Sequence, residues 1–444
     1  MLFVAVEAIG YESVCSAVSM IRSDYLDRAD PARLDWARWA LVALAGSVPL
    51  GSALSNVLTA VVLVLLICAG GFRSHWGVIR RNPFALASIM LLGALVVGIF
   101  WTTGERDEAI RVTEKHARVL LVVFAVVLAV PRQWRKRAIA AWLLSMAVTL
   151  LLSYLHSVWA FPLARATREA AIGDHYIFKH HITQNVMMSV FAGACLALAY
   201  RAYAVVKTKL AAAGVVIAAL ASLNVLFFVA GRTGYLTLLV ALFLPPLLLF
   251  RGRVRWCALG VITIAAASVV FFSAAPKERM HTAVEEAQAH DGTQKTSIGM
   301  RVEFAQKSLQ LIAERPIAGF GTGSYSREYC RVASTPLWCE VGHYNPHNQF
   351  LFFGVQLGLI GVLVLFGWIA CAAYVLLRVD TTERTVGFVL LATFLIHSML
   401  DSPLYINTEG VWYPLGLGLL AAGYVPASKR LTSAPTRSTE GHSG

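Results

Sequence analysis

Residues 349–377 read QFLFFGVQLGLIGVLVLFGWIACAAYVLL, without one charged side chain. A helix needs about 20 apolar residues to cross the hydrocarbon of a bilayer. This stretch is long enough to do so. Comparable runs occupy 36–54, 55–71, 84–103, 117–131, 138–158, 184–204, 210–230, 233–250, 256–275, 385–400 and 410–426, which predicts about twelve transmembrane helices. The runs 117–131 and 385–400 are short and must borrow from their flanks. The first two nearly abut at Gly51-Ser52, as a tight hairpin or a re-entrant pair would.

Composition agrees. Of 444 residues, 57% are apolar and 14% charged. A soluble domain carries about 25% charged residues. A soluble enzyme, a nucleic-acid-binding module and a disordered scaffold are therefore excluded as classes. The net charge of +13 gains meaning from its placement along the chain. With both termini in the cytoplasm, the cytoplasmic pieces hold 21 Lys and Arg, and the short opposite loops hold eight. That bias puts residues 276–348 outside the cytoplasm and explains the basic balance without nucleic acid. The expected fold is all-α and polytopic. Residues 1–35 form an N-terminal cytoplasmic or interfacial segment, and 36–275 carry the first nine spans. Residues 276–348 form one large external loop, and 349–426 carry three more spans. Residues 427–444 form a polar tail with no apolar period, expected to be disordered.

The external loop is too long to be a mere connection. Within Ser297–Glu314, Met300, Phe304, Leu311 and Ile312 recur at helical spacing, and Pro316 stops the helix. A glycine run follows, Gly319-Phe320-Gly321-Thr322-Gly323-Ser324-Tyr325, and then His343-Tyr344-Asn345-Pro346-His347-Asn348-Gln349 at the tenth span. This pattern suggests a lid over a site. The glycines lack the Lys-Ser/Thr of a phosphate-binding loop and read as a turn with close backbone packing.

Arg232 sits in Gly231-Arg232-Thr233-Gly234, between two apolar spans. A guanidinium there either snorkels to headgroups or has an anionic partner. Arg301 opens the loop helix; alone it reads as part of a solvated face. Two arginines aimed into one cleft would suit a diphosphate, whose oxygens accept paired N–H donors. His347 has a side chain suited to taking a proton from a sugar hydroxyl. His343 is its nearest competitor. Lys179, His180 and His181 form a further polar cluster, which with Asp401 is either loop polarity or an acceptor-binding surface. Cys330 and Cys339 share the external loop, where a disulfide and two separate thiols are both open. No His or carboxylate spacing suggests a metal, and no cofactor is expected.

These residues resemble the bacterial O-antigen ligases, a family related to the O-antigen polymerases and O-linked protein oligosaccharyltransferases. The resemblance rests on Gly231-Arg232-Thr233-Gly234, on Arg301 leading through Arg315-Pro316 into Gly319-Phe320-Gly321, on Pro346-His347-Asn348-Gln349-Phe350-Leu351, and on twelve spans with one large external loop. It covers roughly 210–405, and the Pro-His-Asn stretch is its most specific piece. The resemblance implies a GT-C-like, inverting, metal-independent glycosyltransferase of the inner membrane, with its site facing the periplasm. The donor would be a glycan on undecaprenyl diphosphate and the acceptor lipid A–core oligosaccharide. Arg232 and Arg301 would hold the diphosphate, and His347 would activate the hydroxyl, with Asn348, His343 and Tyr325 in support. A polymerase and a protein O-oligosaccharyltransferase would share that chemistry. A lipid-linked glycan flippase, which makes no bond, would show repeated halves and polar mid-membrane helices instead.

Overall fold

The computed structural model describes residues 28–171, 173–272 and 296–425. The opening segment to residue 27, loop residues 276–295 and the tail 427–444 lie outside the described residues. Among the described residues every regular element is a helix, apart from one isolated bridge between Ala29 and Gly70.

Helix α1 (Pro31–Ser47) begins where Asp30 accepts the Ala32 N–H at 2.9 Å and Pro31 presets the first turn. Four residues then turn the chain into α2 (Ser52–Ala69), so Gly51-Ser52 does mark a hairpin. The short α3 (Phe72–Ile79) leads to α4 (Pro83–Gly98), whose first turn is capped by Asn82. A charged helix, α5 (Arg106–Ala117), continues through one 3₁₀ turn at Arg118–Leu120 into α6 (Leu121–Leu128). Helix α7 (Arg132–Val158) is followed by the single turn α8 (Arg165–Arg168) and by α9 (His181–Ala204). Next come α10 (Thr208–Leu223) with a π-turn at Asn224–Phe228, α11 (Arg232–Leu249) and α12 (Gly252–Phe272). The long excursion folds as α13 (Ser297–Glu314), α14 (Tyr325–Val332) and α15 (Pro336–Gly342). Helices α16 (Gln349–Leu376), α17 (Thr381–Leu400) and α18 (Asn407–Ala421) complete the described chain.

Eight described helices are long and apolar enough to cross a membrane: α2, α4, α7, α9, α10 with its π-turn, α11, α16 and α17. Each of the other four expected runs also contains a helix. Helix α1 has 17 residues, α6 eight and α18 fifteen, while α12 runs to the edge of the described chain. The run expected at 117–131 differs most. Its apolar helix, α6, would rise only about 12 Å. The charged α5 extends it almost without a break, burying Ala109, Val112 and His116 on one side. A hydropathy window does not see that helix, because its outer side is charged.

The outer helices carry apolar side chains to the surface, among them Val57, Val64, Leu144, Leu151, Val261 and Ile264. Such a belt suits lipid rather than water. Helix α9 is the central post, with 83% of its most apolar window buried against α10, α11 and α17. A second, smaller core gathers Phe304, Tyr325, Tyr329 and Trp338 from the excursion against Val112, Phe352 and Tyr405. At the far end of the bundle, Arg135 pairs with Glu383 at 2.8 Å and Arg132 with Asp380 at 2.7 Å, joining the starts of α7 and α17.

The glycine run is a strap between α4 and α16. The Thr322 N–H donates to Gly98 O at 3.0 Å, and the Gly321 N–H to Gln356 O at 2.7 Å. Helix α16 breaks at Gly358 (φ 61°), where the Leu359 N–H turns to Pro316 O at 2.7 Å. Gly321 has φ 92°, and a Cβ there would collide with the Thr102 backbone. The close-packed turn read from the sequence is therefore what the glycines make. Gly321→Ala should destabilise the protein by at least about 2 kcal/mol, from left-handed strain plus backbone overlap. Thermal denaturation in detergent should show this, with Gly77→Ala, a helical position with open space around the added methyl, at least as stable as wild type.

Candidate active site

The chain turns at Asn345-Pro346-His347-Asn348 between α15 and α16. Asn348 caps α16, accepting the N–H groups of Phe350 and Leu351 at 3.0 Å, and its own amide donates to Met399 O at 3.2 Å. His347 has φ 50°, a left-handed conformation that costs a non-glycine residue about 1–3 kcal/mol unless its surroundings hold it. They do hold it. The His347 N–H donates to Asn345 Oδ1 at 2.7 Å, and the Ser402 hydroxyl donates to the same oxygen at 2.7 Å.

The imidazole is held as firmly. His347 Nδ1 lies 3.0 Å from Asp401 Oδ1, at the end of α17. That oxygen also accepts the Ser402 N–H at 2.8 Å and the Asn345 amide at 3.2 Å. Phe304 of α13 stacks on the ring, with centroids 5.8 Å apart and planes 19° apart. Burial alone would raise the Asp401 carboxyl. The His347 bond, the charges of His347 and His397, and the Ser402 N–H outweigh it and bring the carboxyl down to about 2. An ionised carboxylate on Nδ1 selects the tautomer with Nδ1–H and leaves Nε2 as the basic nitrogen.

His347 faces a cavity of about 470 Å³, together with Lys115, Arg118, Tyr344, Asn345, Tyr405 and Asn407. Lys115 Nζ lies 3.7 Å from the centre of the Tyr405 ring. Burial lowers the Lys115 ammonium, an effect Glu108 opposes. One guanidinium nitrogen of Arg118, Nη1, is buried and has no hydrogen-bond partner. Between them, His116 points into the second core, where burial lowers it to about 4 and keeps it neutral. Two cations and one oriented imidazole can therefore serve an anionic leaving group and a hydroxyl nucleophile in one space. Among the described residues, no three His, Cys, Asp or Glu side chains group as a metal site would need.

The structure distributes the other expected residues as follows. Arg232 opens α11, where Gly231 packs directly on Asn185 in the first turns of α9. Arg301 precedes Phe304 by three residues on α13, so the two share a helix face. Neither arginine lines the His347 cavity. His343 turns its Nδ1 to the carbonyls of Cys339 and Glu340 at 3.0 and 2.9 Å and is also outside the cavity lining. Tyr325 is buried in the second core, stacked 5.6 Å from Tyr329, and does not line the His347 cavity. Cys330 and Cys339 form a disulfide joining α14 to α15. Lys179 is buried and donates to the hydroxyls of Ser52 at 2.9 Å and Thr408 at 3.1 Å. Burial lowers it to about 8, against the pull of Glu409. His180 and His181 lie ring on ring, 3.9 Å apart. None of the three lines the His347 cavity, and Lys179 reaches Thr408, the residue after the cavity residue Asn407.

Sequence reasoning missed Lys115 and Arg118, which it counted only as loop charges, and Asn345 and Ser402. It set Asp401 among acceptor-binding candidates, whereas the carboxylate stands behind the imidazole. The spacing of Lys115 and Arg118, one helical turn apart just before an apolar run, was the available signal. Asp401→Asn should remove a stabilising contribution that is fully present above the ordinary carboxylate value of about 3.9. The depressed native value means the contribution is lost as pH falls through about 2. Denaturation of both proteins across pH 2 to 7 should show the difference at neutral pH and its disappearance over the lowest part of that range.

Among curated proteins, none matches the chain. The family model described as O-antigen ligase matches residues 217–366. That segment runs from within α10 to within α16 and includes Arg232, Arg301 and His347, but not Lys115, Arg118 or Asp401. Over that segment, residues 217–366 of 444, the chain is similar to the O-antigen ligases.

Proposed function

We propose that this multi-pass membrane protein transfers a glycan from undecaprenyl diphosphate to a sugar hydroxyl of lipid A–core oligosaccharide, at the periplasmic face of the bacterial inner membrane. The family match supports ligase- or polymerase-type activity. One observation carries the finer reading: an imidazole with a carboxylate on Nδ1 shares a pocket with Lys115 and Arg118.

In this reading, His347 Nε2 takes the proton of the acceptor hydroxyl while its oxygen attacks the anomeric carbon. The bond from that carbon to the diphosphate oxygen breaks, and the electron pair leaves with undecaprenyl diphosphate. Asp401 offsets the charge of the imidazolium that forms. In-line attack from the opposite side inverts the anomeric centre. Negative charge grows on the leaving diphosphate, where preorganised cations are most effective. Lys115 and Arg118 are those cations, beside His347. Arg232 and Arg301, carried over from the family resemblance, hold the diphosphate further along. Lys179, His180 and His181 border the acceptor's side. Both termini lie in the cytoplasm, following the bias of basic residues.

The test is a two-substrate assay with purified protein, lipid-linked glycan and lipid A–core. His347→Ala should abolish transfer in a protein that still inserts and folds. Lys115→Ala and Arg118→Ala should each lower the rate by about 10²–10³, as loss of a charge-stabilising donor does. Arg232→Ala and Arg301→Ala should fall similarly, with Lys a partial rescue, and activity should persist in EDTA. Full transfer by well-folded His347→Ala would remove the imidazole from the chemistry. Chain growth on the lipid carrier would reassign the protein as a polymerase, and movement without a new bond as a flippase.

A further inference from the structure

A second cavity, of about 670 Å³, lies toward the opposite end of the bundle between α7, α9, α10, α17 and α18. Its wall is apolar, with Leu143, Ala194, Ile217, Leu390 and Leu415 among its residues. It extends inward to Trp142 and Trp412, which stack 6.1 Å apart. At its mouth stand Lys136, Arg201 and Lys207. All three are exposed, and no described residue pairs with their charges. The acid on the same wall, Glu383, is already bound to Arg135 at 2.8 Å.

The depth of this groove matches a single leaflet. Arg201 and Val190 both line it, and they lie eleven residues apart on α9. That separation is about 16 Å along a helix, against roughly 15 Å for half the hydrocarbon of a bilayer. Leu198, Val205 and Leu210 on the wall are exposed, so the groove opens sideways to surrounding lipid. Water is a poor occupant of such a space. A zwitterionic lipid would fill it but leave three cations without a net counter-charge. The groove thus calls for two acyl chains below a negative headgroup.

We propose that this groove is a binding site for one anionic phospholipid of that leaflet, its phosphate on Lys136, Arg201 and Lys207 and its acyl chains between α9, α10 and α18. The site is separate from the His347 pocket and does not rest on the transfer reaction. Basic pockets between membrane helices attract anionic headgroups with a strength set by the number of cations near the surface.

The probe is phosphatidylglycerol, added to the full-length protein in detergent and read by native mass spectrometry and by thermal stabilisation. Wild type should retain one phosphatidylglycerol in preference to phosphatidylcholine. The triple variant K136Q/R201Q/K207Q should bind it on the order of 100-fold more weakly, while Lys209→Gln, next to the mouth but off the wall, should match wild type. Ala213→Trp, which fills the groove and leaves the cations, should also lose the lipid. Equal retention of phosphatidylcholine would overturn the proposal. So would retention by the triple variant, or by Ala213→Trp, since adsorption to surface charge needs no groove.

Discussion

The site depends on one contact, the 3.0 Å approach of His347 Nδ1 to Asp401 Oδ1. It joins the turn before α16 to the turn after α17, and the surrounding bonds repeat that joining. Asn345 reaches Asp401 and Ser402, Asn348 reaches Met399, and the Leu404 N–H donates to Gln349 Oε1 at 2.8 Å. With these in place, a histidine can occupy a left-handed backbone conformation and present a basic Nε2 to the cavity. Without them, the same half-exposed imidazole would be free to turn on its loop.

The long excursion supports this contact from the other face. Its helices share an aromatic core with α5 and α16, and Phe304 carries that core onto the His347 ring. The disulfide ties α14 to α15 close to the turn, and the glycine strap fixes the whole unit to α4 and to the break in α16. The break at Gly358 frees backbone groups that the strap satisfies, so neither feature would be stable in an apolar surrounding without the other. The described part of the excursion is thus a packed platform for the site.

Charge is divided between the two ends of the bundle. At the site end, Lys115 and Arg118 are drawn partly into the protein, where a cation acts strongly on a bound anion. At the far end, Arg135 and Glu383 satisfy each other under cover, while Lys136, Arg201 and Lys207 stay exposed around an apolar groove. The first turns of α9 carry Asn185 and Ser189, both buried and hydrogen-bonded to backbone carbonyls. A polar group in that position requires such a partner.

Local sequence settled the helices. Uncharged runs of about 20 residues allow little else in hydrocarbon, because a helix satisfies its own backbone. The glycines were also legible as a close-packed turn, because that residue type alone leaves room for such a backbone. The Pro-His-Asn turn, Arg232 and Arg301 could be singled out by residue type, but not their surroundings. The charged α5 escaped a hydropathy reading because its buried side is narrow. Asp401 lies 54 residues from His347, and Arg118 far more distant on the other side. No local pattern could assign a carboxylate to that imidazole or bring Lys115 and Arg118 to the same cavity. Packing of α16 against α17, and of α5 against α16 through His116 and Phe352, decided those pairings, because long-range proximity is a property of the folded core and not of the chain beside each residue.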